Sequence, residues 1–85
     1  MQKPLQFTHH AQIRLALRGA TEIEVTETIR GEMWETAELG KLECRRNFPF
    51  GQVRSGKFYQ TKQVRPIFVE EEKVIVIITV YVYYF

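Results

Sequence analysis

The chain is 85 residues long, 45% hydrophobic and 26% charged, with a formal net charge of +2. That is the balance of one small globular domain, and it excludes a disordered chain or a multidomain machine. A single cysteine, Cys44, excludes an internal disulfide, and the absence of any Asp weakens every Asp-lined metal site.

The opening "MQKPLQF" holds no apolar run of signal-peptide length, so export is not expected and a reduced cytoplasmic setting fits the lone thiol. "HHAQIRLALRG" reads as a helix, with Thr8 as N-cap and Gly19 as the C-terminal stop. Ile13, Ala16, Leu17 and Ala20 follow the spacing of one buried stripe, which His9 extends. His10, Arg14 and Arg18 make a second row beside it, one helical turn apart. "TEIE" is a capping box, Thr21 to Glu24, opening a second helix whose expected inner residues are Ile23, Val25, Ile29 and Met33 and whose end falls near Gly31.

After Met33 the hydrophobic period changes from 3.6 to 2. "KLECRRNF" is a strand with Leu42 and Cys44 on one face, "NFPFGQVRSG" a loop or loosely paired extension, and "KFYQTKQV" a strand that continues past Pro66 into "PIFV". Pro66 lacks a backbone donor, so this strand is expected to bend there or to lie at an edge. "EEEK" is a hairpin turn. The final "VIVIITVYVYYF" is apolar on both faces, with Val74, Val76, Ile78, Val80, Val82 and Tyr84 on one side, and so belongs in the middle of a sheet. The longest apolar run, Val74 to Val82, is too short for a membrane helix. The order is α-α-β-β-β with room for a strand near Trp34. It predicts an α+β fold: two N-terminal helices on an antiparallel sheet of three to four strands, the C-terminal strand central, residues 1–85 forming one domain.

Charge is segregated along the chain. Residues 20–43 carry seven Glu against Arg30 and Lys41, whereas residues 44–69 carry Arg45, Arg46, Arg54, Lys57, Lys62 and Arg65 with no acid. Interleaved with those cations are Phe48, Phe50, Phe58, Tyr59 and Phe68. Cations hold phosphates and aromatic planes stack unpaired bases, so RNA is one partner of such a block. A solvated hairpin with its aromatics turned to the core is the other reading. Phe58 and Tyr59 must point to opposite faces, so at most one of them is core.

For proton transfer the candidate is His10, because histidine as a residue type suits proton transfer near neutral pH and this one neighbours two arginines; a structural cap is the competing role. His9 is read as a core residue. Adjacent helical histidines diverge by about 100°, so they make poor joint metal ligands. No nucleotide-binding glycine motif is present, and neither a metal nor a cofactor is expected. Cys44 is read as a buried thiol rather than a nucleophile.

At His10-Ala11, Arg14 and Arg18-Gly19, and again at "YQTKQVRPIFVEE" and "IITVYVYYF", the chain resembles a family of small bacterial and archaeal proteins of unknown function related to RelE/BrnT-like toxins. The resemblance spans residues 7–85. It implies a RelE/BrnT-like two-helix and sheet plan and a metal-independent endoribonuclease of a toxin–antitoxin system, neutralised by an antitoxin protein. It further implies His10, Lys57 or Lys62, and Tyr81 for proton handling, with Arg14, Arg18, Arg45, Arg46 and Arg65 holding phosphate. The alternative is a non-catalytic module that binds RNA or protein through the same basic surface. The aromatic "YVYYF" terminus leaves a homodimer open.

Overall fold

The computed structural model describes residues 2–85. Its elements are β1 (Leu5–Phe7), α1 (His9–Arg18), α2 (Glu22–Gly31), β2 (Glu35–Thr36), a 3-10 turn (Glu38–Gly40), β3 (Leu42–Glu43), β4 (Arg46–Arg54), β5 (Lys57–Glu70) and β6 (Ile75–Tyr84). The fold is α+β, two helices on a mostly antiparallel sheet. The strand order is β1-β6-β5-β3-β2, and β4 continues the line of β3 along β5. The chain measures 43 × 24 × 24 Å, an elongation set by β5, whose fourteen residues span roughly 46 Å when extended.

Both helix starts follow from local chemistry. Thr8 Oγ1 accepts from the Ala11 amide at 3.0 Å, and Gly19 closes α1 in the left-handed region at φ 79°. At α2 the capping box is complete, with the Glu24 amide donating to Thr21 Oγ1 at 3.1 Å and the Thr21 amide donating to Glu24 Oε1 at 3.0 Å.

The buried stripe of α1 differs from the expected one. Ala11 and Leu15 are buried, while Ile13 and Leu17 are exposed and so is His9. A ten-residue helix with apolar residues on two stripes admits two rotations about its axis. The choice is made by Thr8, whose amide donates to Ile77 O and whose hydroxyl donates to Ile78 O, each at 3.2 Å. That anchor turns Ala11 and Leu15 onto β6. In α2, Val25 and Ile29 are buried as expected and Thr28 joins them, but Ile23 is exposed, and so is Met33, which lies beyond the helix end.

The sheet decides three further points. First, of the two readings of residues 46–54 the paired one holds: they form a strand, and β4 accommodates Pro49 and Gly51 through a bulge between Pro49 and Gln52. Second, Pro66 lies fully buried in the middle of β5, which pairs on both sides. Its missing donor faces the break between β3 and β4 at Cys44 and Arg45, where no ladder bond is required. Third, β5 is the central strand, paired on both sides over most of Thr61–Phe68, and β6 is central only over Ile75–Ile77, where β1 pairs in parallel. The strands β1 and β2 bring the number to six.

β6 also changes parity. The register shifts between Ile67 and Phe68, which pair with Thr79 and Ile77, leaving Ile78 as the extra residue of a bulge. Before it Ile75 and Ile77 are buried; after it Val80 is, and Val82 packs on the same core. The uniform alternation expected for this strand therefore breaks at Ile78. The core joins these residues to Val64 and Phe68 of β5, Leu15, Val25, Ile29 and Cys44, with Trp34 edge-on to Phe68 at 5.0 Å.

Candidate functional site

Alternation along β5 divides the cationic block between the two faces of the sheet. Lys62 belongs to the helix-covered face and Arg65, three residues on, to the open face.

On the helix side the cations are used to close α1. Lys62 is 8% exposed. Its Nζ donates to Gly19 O at 3.0 Å and pairs with the Glu24 carboxylate at 2.8 Å. Arg54 donates to Leu17 O at 3.0 Å, and the Tyr84 hydroxyl donates to Arg18 O at 2.6 Å. The last carbonyls of a helix lack intrahelical partners and carry partial negative charge, so cations there are stabilising. Arg46 similarly reaches Glu27 O at 3.3 Å and Glu32 at 3.8 Å, near the end of α2. Arg54 stacks 4.7 Å from the Tyr84 ring, which neighbours Phe50 and Tyr59 at 4.9 and 5.8 Å. Tyr59 is thus half-buried and Phe58 exposed. Lys57, beside the Ser55–Gly56 turn, is exposed with its Nζ 5.5 Å from the Tyr59 ring.

On the open face and along the adjoining edge of β6 a second set forms one continuous strip. Arg65 holds Glu43 through Nε at 2.6 Å and Nη2 at 3.2 Å, and its Nη1 donates to the Tyr83 hydroxyl at 2.9 Å. The Arg65 guanidinium lies 5.3 Å from the Tyr81 ring, and that of Arg18 lies 5.0 Å from the same ring. Arg18 also donates to Val80 O at 2.7 Å, which fixes it at the edge of β6. One turn back, half-buried Arg14 donates from Nε to His10 Nε2 at 3.4 Å, and His10 is exposed. That bond requires Nε2 to be the unprotonated nitrogen. Arg45 approaches Glu43 at 3.6 Å, half exposed.

Electrostatics within the strip are uneven. The Arg65 hydrogen bonds, with the charges of Arg65 and Arg45, hold the Glu43 carboxyl below its ordinary range, against a burial that pushes it up. Arg65 is raised in turn, chiefly by its bond to Glu43. Arg65 is therefore a neutralised cation, whereas no carboxylate lies within ion-pair distance of Arg14 or Arg18 among the described residues. Cys44 is buried and its thiol is pushed up to about 12, mainly by burial and then by Glu32 and Glu43, so it is protonated and inert at neutral pH.

Beside the strip, the Ala37–Lys41 segment overhangs the open face and encloses a groove of about 600 Å³ with Ile67, Ile78 and Tyr81 among its walls. Leu39, at its rim, is held at φ 58° and is exposed, a conformation that costs a non-glycine residue roughly 1–3 kcal/mol.

Of the residues singled out from the sequence, His10, Arg14, Arg18, Tyr81 and Arg65 come together, with Arg45 at the far end. Lys57, Lys62 and Arg46 do not join them. Sequence reasoning missed Glu43 and Tyr83, and it did not foresee that Arg54, named in the cationic block, and Tyr84 close α1. Tyr83 was accessible, two residues from Tyr81 and so on the same face. Glu43 is brought to Arg65 only by the pairing of β3 with β5. No protein-family model, curated protein or solved structure matches the chain.

Proposed function

We propose that this protein binds single-stranded RNA along the His10–Arg14–Arg18–Tyr81–Arg65 strip and cleaves it without a metal ion, the activity implied by the RelE/BrnT-like resemblance. The observation that carries the reading is the pair Arg14 and Arg18, without a carboxylate partner among the described residues, beside an exposed imidazole whose Nε2 accepts from Arg14 Nε. Cleavage of RNA by its own 2′-hydroxyl needs a proton acceptor at that oxygen and positive charge on the phosphate. His10 Nε2 supplies the first once the Arg14 guanidinium turns to the phosphate; Arg14 and the donors of Arg18 not used on Val80 O supply the second. The 2′-oxygen attacks phosphorus, the P–O5′ bond breaks, and the departing 5′-oxygen takes a proton. Tyr81, between two guanidiniums, carries a phenolic proton that can serve this step. Lys62 has no part in this chemistry, because its ammonium is committed to Gly19 and Glu24.

Incubation of the purified protein with single-stranded RNAs and with ribosome-bound message, in EDTA, tests this directly. Cleavage that His10→Ala abolishes and Arg14→Ala weakens is the expected result. Intact RNA throughout, with binding that falls as salt rises, would instead select the non-catalytic RNA-binding module, a reading favoured by the neutralisation of Arg65.

A further inference from the structure

The outer edge of β6 presents an uncommon combination. β1 pairs only with Ile75–Ile77, and among the described residues no strand pairs with the other side of β6 beyond them. Thr61 and Phe85 exchange both backbone bonds, at 2.8 and 3.1 Å. In an antiparallel ladder this directs the backbone groups of Tyr83 and Tyr81 toward β5, and those of Val80, Val82 and Tyr84 outward. Of these, Val80 O is taken by Arg18. The Val82 amide and carbonyl point away from the sheet as a donor–acceptor pair. Proteins ordinarily blunt such edges with prolines, lysines or covering segments; here the guard is one arginine.

We infer that this edge, from Val80 to Tyr84, receives an extended acidic segment of a partner protein as an added strand. The charge around it selects the occupant. Arg18 sits at this edge on Val80 O, Arg14 lies one turn back on α1, and residues 1–19 and 44–69 contain no acid. Of the two carboxylates that line the neighbouring groove, Glu43 is already held by Arg65, and Glu38 lies on the overhanging Ala37–Lys41 segment rather than on the edge of β6. A second copy of this chain fits badly, because two-fold pairing of β6 with β6 would bring two copies of Arg18 to the same seam, and like charges at close range repel. An acidic strand would place carboxylates against Arg18 and Arg14 while its backbone completed the ladder. Tyr81 and Tyr83, each about two-fifths exposed, would give its alternate side chains an aromatic floor. This partner is additional to RNA and would compete with it for Arg14 and Arg18.

The probe is a fluorescent octapeptide alternating Glu and Val, titrated onto the full chain and followed by anisotropy. Three peptides accompany it: a Lys–Val version, and two Glu–Val versions N-methylated at every Val or at every Glu. A strand has two inequivalent edges, so one methylated form binds like the parent and the other loses at least about tenfold. The Lys–Val version also loses at least about tenfold. Val82→Pro, which removes an outward amide while leaving the β5 ladder intact, weakens the parent similarly; if this variant fails to fold, the methylated peptides on the natural chain still decide. Equal binding of all Glu–Val forms, equal loss by both methylated forms, or no binding of the parent overturns the inference. So does a concentration-dependent dimer in sedimentation that the parent peptide does not dissociate. RNA binding is measured separately, so a failure here leaves the RNA reading standing.

Discussion

The chemistry of single residues here is decided by their immediate partners. Glu43 owes its lowered pKa to Arg65 first and Arg45 second. Its ionised form is therefore favoured by folding, and the stability it contributes is complete above the unfolded value near 4.5 and disappears as pH falls through the lower folded value. Glu43→Gln should cost roughly 1–3 kcal/mol at pH 7, less than a fully buried pair because Arg65 is partly exposed. Melting curves from pH 7 to pH 3 should show variant and natural protein converging at the acid end. Cys44 behaves oppositely. With its thiol pushed up to about 12 and its Sγ directed at Thr28 O, 3.6 Å away, it should resist an aromatic disulfide reagent at pH 8 in the native protein and react fully in denaturant. Rapid native labelling would contradict that assignment.

Two glycines show how an element's end depends on what it meets. At Gly19 the backbone is left-handed, and a Cβ would stand 2.6 Å from Tyr84 Oη and 2.8 Å from Arg54 Nη1, the groups that close α1. Gly19→Ala therefore strains the backbone and displaces two of the three cap donors, and a loss of about 2–3 kcal/mol is expected in denaturant titration. Gly31 ends α2 without a left-handed turn, and a Cβ there meets only the far end of the Arg46 side chain, at 2.8 Å. Gly31→Ala should be stabilising by up to about 1 kcal/mol, because alanine loses less backbone freedom in a helix and the guanidinium can move. A destabilised Gly31→Ala would mean that Arg46 holds the end of α2 more firmly than its 3.3 Å bond to Glu27 O suggests.

Across the molecule, the sheet separates two uses of positive charge. On the helix-covered side Lys62, Arg54 and Arg46 complete helix ends; on the other side and its edge Arg14, Arg18 and Arg65 remain near solvent, and Arg65 is already paired. RNA affinity should accordingly fall with salt as though about two phosphates were neutralised. The log–log slope for a single strand would be near −1.4, and Arg14→Ala should make it shallower by about 0.7. Lys62→Met should lower the melting temperature and leave that slope unchanged. A slope that steepens to include Lys57 and Arg54 would move the RNA to the hairpin end.

The sequence by itself determined the α+β class, both helix starts, the stops at Gly19 and Gly31, the Glu-rich hairpin turn and the burial of Cys44. Each of these rests on contacts between near neighbours or on a local period. It also determined the row His10–Arg14–Arg18, because helical spacing makes a row wherever the helix lies. Tertiary structure decided which stripe of α1 turned inward, since Ala11–Leu15 and Ile13–Leu17 are both apolar and only the anchoring of Thr8 to β6 chooses between them. It decided the faces of β6, because one extra residue at Ile78 inverts every side chain beyond it. And it divided the cationic block, since strand parity fixes that Lys62 and Arg65 part company, while which of the two meets a helix depends on where α1 and α2 come to rest.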